Sequence, residues 1–226
     1  MRSQAPGACR ASFPGRLRDR CQARGGRRGA GMSGAGNGAS GGAARRAVLS
    51  LGSNMGDRLG RLGAGVRELA RVPGIGHVRV SSVYRTRPVG DADQDDFLNI
   101  IVTADSLLDP LALLGRANAI EDAQGRRRDP DRPHGPRTLD IDLVVVGECT
   151  SGTRRLRLPH PRAHERAFVL VPWAELEPDA ELPQGRIVDL LSGLDASGVV
   201  LTDLQVKRGE SGPRPRAAGS DHPMAP

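Results

Sequence analysis

The sequence predicts an α+β fold in which helices lie on one face of a mainly antiparallel sheet. Extended and helical segments follow one another in the order β-α-β-β-α-β, which is the plan of a ferredoxin-like sandwich. The chain has 226 residues, enough for one domain of about 150 residues with additional segments at its ends. Hydrophobic residues make up 38% of the chain and aromatic residues only 2%, so the core must be built mainly from aliphatic side chains.

The first half of the predicted domain contains three extended segments and one helix. Residues 47–51 form an apolar run that ends at Gly52-Ser53-Asn54, which is typical of a strand turning into a helix. We expect that helix over about residues 58–70. Apolar and polar residues then alternate over 78–85, the period of a half-buried strand, and residues 97–104 form a further extended run.

The second half begins with Asp109-Pro110, an N-cap followed by a first-turn proline. Apolar residues recur near helical spacing from Leu111 to Gly125, which predicts a helix. Residues 138–146 form a strongly apolar strand interrupted by two acids, and residues 168–176 form another helix. Elements after the second helix are available to cover the other face of the sheet.

The ends of the chain differ in composition from its centre. Residues 1–46 are rich in Gly, Arg, Ala and Ser and carry a net charge of +9, so the remaining 180 residues sum to −2. Such a segment buries too little apolar area to offset chain entropy. We therefore expect a disordered arm at 1–46, a folded domain at 47–207 and a disordered tail at 208–226, with Met32 as an alternative translation start.

Cysteine usage and hydropathy indicate the cellular setting. The three cysteines, Cys9, Cys21 and Cys149, lie far apart, which indicates neither a disulfide framework nor a zinc site. No segment approaches the roughly 18 apolar residues that span a bilayer, and the N-terminus lacks the apolar centre of a secretory signal. We expect a cytoplasmic protein without a membrane partner.

Asp140 and Asp142 lie two residues apart in the predicted strand 138–146. Side chains at that spacing point the same way, about 7 Å apart, so both carboxylates project from one side of the strand. They repel each other and are costly to desolvate, and a divalent cation compensates both. Because Mg²⁺ prefers a few carboxylates with phosphate oxygens, we predict a site for phosphoryl transfer. The alternative is a solvated strand end at which the acids meet arginines.

Five arginines precede the acid pair in a loop that also contains glycine and proline. A guanidinium-rich loop beside a metal site can close over a polyphosphate, neutralise its charge and exclude water. A solvated basic loop is the competing interpretation. The five residues are Arg126, Arg127, Arg128, Arg132 and Arg137.

Three further features suggest how a ligand is held. His160 lies between two prolines on a stiff turn, where its imidazole can donate to a phosphate. Phe97 and Phe168 are two of only three phenylalanines, and flat heteroaromatic ligands bind well between aromatic faces. Asn99 offers a donor and an acceptor for a ring edge. Ordinary core packing of the phenylalanines and simple exposure of His160 are the alternatives.

At these positions the sequence resembles the 6-hydroxymethyl-7,8-dihydropterin pyrophosphokinase family. The shared motifs occur in the family's order and span about residues 47–185. They are Leu51-Gly52-Ser53-Asn54, Ser82-Val83-Tyr84-Arg85-Thr86, Phe97-Leu98-Asn99, Glu121, Gly135-Pro136-Arg137-Thr138-Leu139-Asp140-Ile141-Asp142 and Pro159-His160-Pro161-Arg162.

The resemblance implies a ferredoxin-like αβα sandwich that transfers the pyrophosphoryl group of ATP to a reduced pterin in folate biosynthesis, with two Mg²⁺ ions. It implies that Asp140 and Asp142 hold the ions and act in catalysis with Arg126, Arg128 and Arg137. By position, the pterin subsite comprises Thr86, Pro88, Val89, Phe97, Asn99 and Phe168. The ATP subsite comprises Glu121, Arg126, Arg128, Arg132, Arg137, His160 and Arg166.

The chain departs from the family in the loop before Gly135, where the family usually has Arg-Trp. Here Arg132-Pro133-His134 is one residue longer and lacks the tryptophan, so His134 is a candidate replacement and the role of Arg132 is open. A nucleotidyl transferase with an Asp-x-Asp pair and a nucleic-acid-binding protein are the alternative functions. We expect a monomer that binds small molecules, with at most weak nucleic-acid binding by the basic arm.

Overall fold

An antiparallel sheet lies at the centre of the structure, a computed structural model that describes residues 43–88, 94–127 and 135–206. The helices and strands in chain order are β1 (Arg45–Ser53), α1 (Arg58–Arg71), β2 (Ile75–Val80), β3 (Tyr84–Thr86), β4 (Phe97–Ser106), α2 (Pro110–Ala123), β5 (Asp140–Val146), β6 (Ser151–Gly152), β7 (Arg157–Leu158), α3 (Ala167–Leu176), β8 (Glu181–Leu182), β9 (Gly185–Arg186), α4 (Ile187–Ser192) and β10 (Val199–Leu201). The main strands of the central sheet lie in the order β10-β3-β4-β1-β5, and β2 also pairs with β4.

Helices α1 and α2 cover one face of the sheet. Each begins at an aspartate whose side chain accepts hydrogen bonds from the first turn, Asp57 from Gly60 N and Asp109 from Leu111 N and Ala112 N. These bonds satisfy donors that a helix start leaves unpaired. The helices then bury aliphatic side chains against alternate residues of β1, β4 and β5.

Helices α3 and α4 cover the other face. Val169, Leu170 and Trp173 of α3 pack with Ile187 of α4 in a second cluster that includes residues of β1, β4 and β5. Because both faces are covered, the strands in the middle of the sheet are buried almost throughout. The result is a three-layered αβα arrangement whose element order up to β5 agrees with the predicted one, except that one predicted strand is divided into two.

The structure differs from the sequence prediction at the segment 78–85, which forms two strands instead of one. The pairing of β2 with β4 shifts register between Gly76 and Arg79, and His77 has a positive φ of 48°. After β2, the hydroxyl of Ser81 accepts from Ile101 N at 2.9 Å, so a side chain replaces the backbone acceptor there. This local substitution separates β2 from β3.

Other boundaries moved by one to three residues, and β1 begins at Arg45, two residues before the predicted start of the domain. The predicted disordered segments, 1–46 and 208–226, lie outside the described residues except for 43–46. None of the helices in the described ranges is long and apolar enough to cross a bilayer.

Candidate active site

Cross-strand register aligns the predicted site residues on the face covered by α3. Gly52 of β1 pairs with Asn99 of β4 on one side and with Asp140 of β5 on the other. Ser50, two residues earlier in β1, pairs with Asp142. Because side chains two apart in a strand share a face, both carboxylates lie on the same side of the sheet as Asn99.

A cleft of about 840 Å³ opens on this face. Of the predicted site residues, the structure brings together in its lining Thr86, Pro88, Phe97, Asn99, Arg126, Arg137, Asp140, Asp142, His160, Arg166 and Phe168. Of the remaining predicted residues, Glu121 is described but does not line the cleft, and the other three, Val89, Arg128 and Arg132, lie outside the described residues. The cleft joins an aromatic half to a half dominated by acids and arginines.

Asp140 forms ion pairs with two arginines from the segments before it. Its Oδ1 accepts from Arg126 and its Oδ2 accepts from Arg137. Burial lowers the pKa of the Arg126 guanidinium, but the negative charges of Asp140 and Glu121 outweigh that effect and raise it. Arg126 is therefore permanently charged and held at the edge of the acid pair.

Glu121 lies behind Arg126 and not in the cleft lining. It is 1% exposed, accepts from Ile141 N at 2.7 Å and pairs with Arg126. A buried carboxylate needs such compensation. Glu121 thus fixes Arg126 against β5, and its predicted direct contact with ATP stays a prediction.

Asp142 occupies a different electrostatic environment. Although the side chain is 40% exposed in the open cleft, burial of the carboxyl by surrounding protein atoms, together with the negative charge of Asp140, raises its pKa. Arg166 opposes this rise through an ion pair of 3.2 Å. The carboxyl therefore gains from any additional positive charge that enters the cleft.

His160 lines the cleft, and the protein binds one of its two ring nitrogens. Its backbone N–H donates to Val144 O at 2.8 Å, and its Nδ1 accepts from Arg162 N at 3.2 Å. Burial lowers the pKa of the imidazole, against the attraction of Asp142. A neutral ring whose Nδ1 accepts carries its proton on Nε2, where it can donate to a ligand.

The aromatic half contains Phe97 and Phe168 together with two polar groups. Asn99 Nδ2 donates to Thr86 Oγ1 at 2.7 Å, so the Asn99 carbonyl is directed toward Gly52 and the cleft. A Cβ on Gly52 would lie 2.8 Å from Asn99 Oδ1. The absence of a side chain at Gly52 therefore keeps this amide oxygen in place at the floor of the cleft.

Asn54, which is 2% exposed, joins the chain segments that border the cleft. Its Oδ1 accepts from Arg137 N at 2.7 Å, and its Nδ2 donates to Gln94 Oε1 at 2.9 Å and to Asp95 O at 3.3 Å. The segment before β4 and the segment before β5 are thereby held by one side chain. This explains in physical terms why an asparagine follows β1.

The cleft also contains residues that sequence reasoning did not assign. Some lie within or next to quoted motifs and had a sequence signal, namely Ser50, Gly52, Arg87, Arg162, Glu165 and Ala167. Others come from segments without a recognisable pattern, namely Gln94, Leu194, Asp195, Gly198 and Val199.

The chemistry of the donor set fits Mg²⁺. Asp140 and Asp142 supply hard carboxylate oxygens on one face of the cleft, and no cluster of three or more His, Cys, Asp or Glu suited to a metal occurs among the described residues. Two carboxylates without further protein ligands suit an ion that shares its coordination with phosphate oxygens and water. The raised pKa of Asp142 also indicates that a positive charge beside the two carboxylates would stabilise their ionised forms.

Comparison with known proteins identifies the family of this chain. The sequence pattern of the 7,8-dihydro-6-hydroxymethylpterin-pyrophosphokinase (HPPK) family matches residues 48–178. The chain belongs to the HPPK family. Among HPPK relatives, the 2-amino-4-hydroxy-6-hydroxymethyldihydropteridine pyrophosphokinase of Methylorubrum extorquens is 46% identical over 154 residues, covering 68% of this chain and 96% of the relative. That of Pseudomonas aeruginosa is 40% identical over 156 residues, covering 69% and 95%.

Solved structures support the HPPK fold. A crystal structure of wild-type Plasmodium falciparum HPPK-DHPS with pterin and p-hydroxybenzoate matches with a TM-score of 0.52 and 14% identity, covering 66% of this chain and 43% of that chain. The chain thus spans less than half the length of that protein, and at this identity the match concerns the fold alone. The predicted family and the predicted ferredoxin-like α+β fold are both confirmed.

Proposed function

We infer that this chain transfers the pyrophosphoryl group of ATP to 6-hydroxymethyl-7,8-dihydropterin, giving AMP and the pterin diphosphate in folate biosynthesis. Relatives that are named pyrophosphokinases of the hydroxymethyldihydropteridine, and that are matched over 95–96% of their own length, support the inference. The structural observation that supports it most is that one cleft combines the aromatic pair with Asp140 and Asp142 and with the three arginines that pair with these acids. The first set suits a flat ring, and the second suits a polyphosphate.

The proposed pterin subsite is the aromatic half. Phe97 and Phe168 flank the ring, with Pro88 and, by position in the family, Val89 beside it. Because Asn99 already donates to Thr86, its carbonyl oxygen accepts from a ring N–H. The Thr86 hydroxyl, which accepts from Asn99, is left to donate its own proton to a ring acceptor.

The proposed ATP subsite is the arginine half. Arg126, Arg137 and Arg166 lie in the cleft within ion-pair distance of the acids, so their guanidinium groups can bind phosphate oxygens bidentately. His160 donates from Nε2 to a further oxygen. By family position, Arg128 and Arg132 add to this set.

In the proposed reaction, the hydroxymethyl oxygen of the pterin attacks the β-phosphorus of ATP. The bond between that phosphorus and the oxygen bridging to the α-phosphate breaks, AMP leaves with the bonding electrons, and the hydroxyl proton passes to solvent. Asp140 and Asp142 would hold two Mg²⁺ ions, which supply charge neutralisation at the phosphates when bound. The arginines position the triphosphate, the phenylalanines orient the acceptor, and catalysis arises from positioning and charge compensation.

Replacing Asp140 by alanine tests this assignment. We expect Asp140→Ala to lower turnover at least about 100-fold, because it removes a proposed metal ligand in a reaction that depends on charge compensation. AMP and pterin diphosphate are measured after incubation with ATP, Mg²⁺ and the hydroxymethyl-dihydropterin, and circular dichroism checks the fold. Asp122→Ala, a change at an exposed acid on α2, is the matched control.

Near-normal turnover in Asp140→Ala would refute the metal assignment. Release of free pyrophosphate in place of AMP would instead indicate a nucleotidyl transferase. We further propose that the protein is a cytoplasmic monomer with no nucleic-acid function in its folded domain. Light scattering of the full chain tests the oligomeric state, and a dimer would overturn that part of the proposal.

A further inference from the structure

Residues 194–199, which follow α4 and end at the first residue of β10, form one wall of the cleft. Leu194, Asp195, Gly198 and Val199 of this wall line the cleft. This segment follows residue 178, where the match to the HPPK family pattern ends. The wall is therefore a feature of this chain that the family pattern does not cover.

The wall is anchored to the aromatic half of the cleft. Val199 pairs with Thr86 in β3, and Thr86 pairs in turn with Phe97 in β4. Just beyond β10, both N and Oγ1 of Thr202 donate to Val83 O, at 3.0 and 2.9 Å. Since the strand that ends the wall is part of the sheet, the wall has a fixed position relative to Phe97.

Asp195 is the charged residue of this wall. Its Oδ1 accepts from Ser197 N at 2.9 Å in a tight turn, and hydrogen bonds from Ser197 lower the pKa of the carboxyl. The side chain is therefore an anion at neutral pH. The Ser197 hydroxyl is a second donor to this carboxylate, and because an ionised carboxylate has about four lone-pair sites, it can accept a further hydrogen bond from a ligand.

The wall differs in charge from the part of the cleft that surrounds Asp140 and Asp142. Arg126, Arg137 and Arg166, which pair with those two acids, attract phosphate, whereas the carboxylate of the wall repels phosphate and attracts N–H donors. The lining also contains Arg87, Arg162 and Glu165. A reduced pterin carries several N–H groups on an uncharged ring and no phosphate before the reaction. A carboxylate that accepts from such groups selects for this kind of ring.

We propose that the wall 194–199 determines specificity for the acceptor, with Asp195 accepting a hydrogen bond from an N–H group of the pterin ring. The proposal rests on the proposed placement of the pterin between Phe97 and Phe168. Leu194 and Val199 supply the apolar contacts on either side of the carboxylate.

The variant Asp195→Asn tests the proposal, since asparagine keeps an oxygen for the turn with Ser197. We expect KM for the pterin to rise about fivefold or more at saturating ATP, with kcat and KM for ATP unchanged. Asp189→Asn, which removes the charge of another exposed acid nearby on α4, is the control and leaves all three constants unchanged. An unchanged pterin KM in Asp195→Asn would overturn the role of the carboxylate.

A second variant tests the wall by adding volume. A Cβ on Gly198 would meet no atom within 4 Å, so Gly198→Leu is accommodated without a clash at the backbone and narrows the cleft. We expect a higher pterin KM with an unchanged melting temperature. Gly152→Leu, at an equally open glycine outside the cleft lining, serves as the control.

Phe168→Ala separates failure of this proposal from failure of the proposed function. If Phe168→Ala raises the pterin KM while Asp195→Asn and Gly198→Leu do not, the pterin placement holds and the wall plays no part. If all three variants keep a normal pterin KM, the placement of the pterin is wrong as well. If the wall variants change only KM for ATP, the wall belongs to the nucleotide subsite and the proposal is overturned.

Discussion

The hydroxyl of Tyr84 links β3 to the last turn of α3, and its ionisation is predicted to weaken that link. Tyr84 Oη donates to Glu175 Oε2 at 3.0 Å, and burial, followed by the hydrogen bond and charge of Glu175, raises the tyrosine pKa from 10.0 to about 12. A rise of two units corresponds to at most about 2.7 kcal/mol. Because the phenol oxygen lies near solvent, screening reduces this to about 1–2 kcal/mol.

The direction of the tyrosine pKa shift determines the pH range in which the stabilisation is lost. A folded-state pKa above the unfolded value means that the neutral phenol is favoured in the folded protein. The contribution is complete below pH 10 and is lost as the pH rises from 10 toward 12. Between pH 10 and 12, ionisation of Tyr84 alone is expected to lower the free energy of unfolding by about 1–2 kcal/mol.

Tyrosinate absorbance measures the titration without ambiguity, since the chain contains one tyrosine. We expect a midpoint that lies well above 10, and no higher than about 12, in the folded protein and near 10 in denaturant. In Glu175→Gln the midpoint of the folded protein moves down toward 10, because the charge and the anionic acceptor are removed. A midpoint near 10 in the folded parent protein would show that the contact with Glu175 is absent in solution.

Two further predictions concern the floor of the cleft and the support of its arginine. In Gly52→Ala the new Cβ displaces the side-chain amide of Asn99. We therefore expect KM for the pterin to rise about tenfold, equivalent to about 1.4 kcal/mol, and KM for ATP to stay unchanged. A change in KM for ATP alone would contradict the placement of Asn99 at the floor of the pterin subsite. In Glu121→Gln the buried partner of Arg126 loses its charge, so denaturant unfolding should show a loss of about 1–3 kcal/mol and kcat should fall. Unchanged stability and turnover would mean that Glu121 does not hold Arg126.

The elements that could be predicted from sequence are those with a strong local signal. The helix after Asp109 has both a cap and a proline at its first position, and β5 has a long apolar run. The division between β2 and β3 could not be predicted, because it depends on the hydroxyl of Ser81 binding a strand twenty residues away. The elements after α3 are two to six residues long, too short to show a period.

In the candidate site, too, the residues that could be predicted are those whose position depends on local geometry. Asp140 and Asp142 could be assigned to one face because strand geometry fixes the direction of side chains two apart. The burial of Glu121 behind Arg126 could not be predicted, because it depends on how α2 packs against β5, which no local pattern encodes. Asp195 reaches the cleft only because β10 pairs with β3, a contact between residues more than a hundred positions apart in the chain.

The single tryptophan has a consequence for any optical study of folding. Trp173 is 2% exposed in the cluster formed by α3 and α4, and its indole N–H donates to Glu177 Oε2 at 3.0 Å. The chain has one tryptophan and one tyrosine. Trp173 belongs to α3, and Tyr84 donates to Glu175 of α3. Intrinsic fluorescence therefore reports detachment of the layer that contains α3, and it does not report separate unfolding of the layer that contains α1 and α2. A denaturation curve followed by emission should be paired with amide hydrogen exchange, since a disagreement between the two would reveal layers that melt separately.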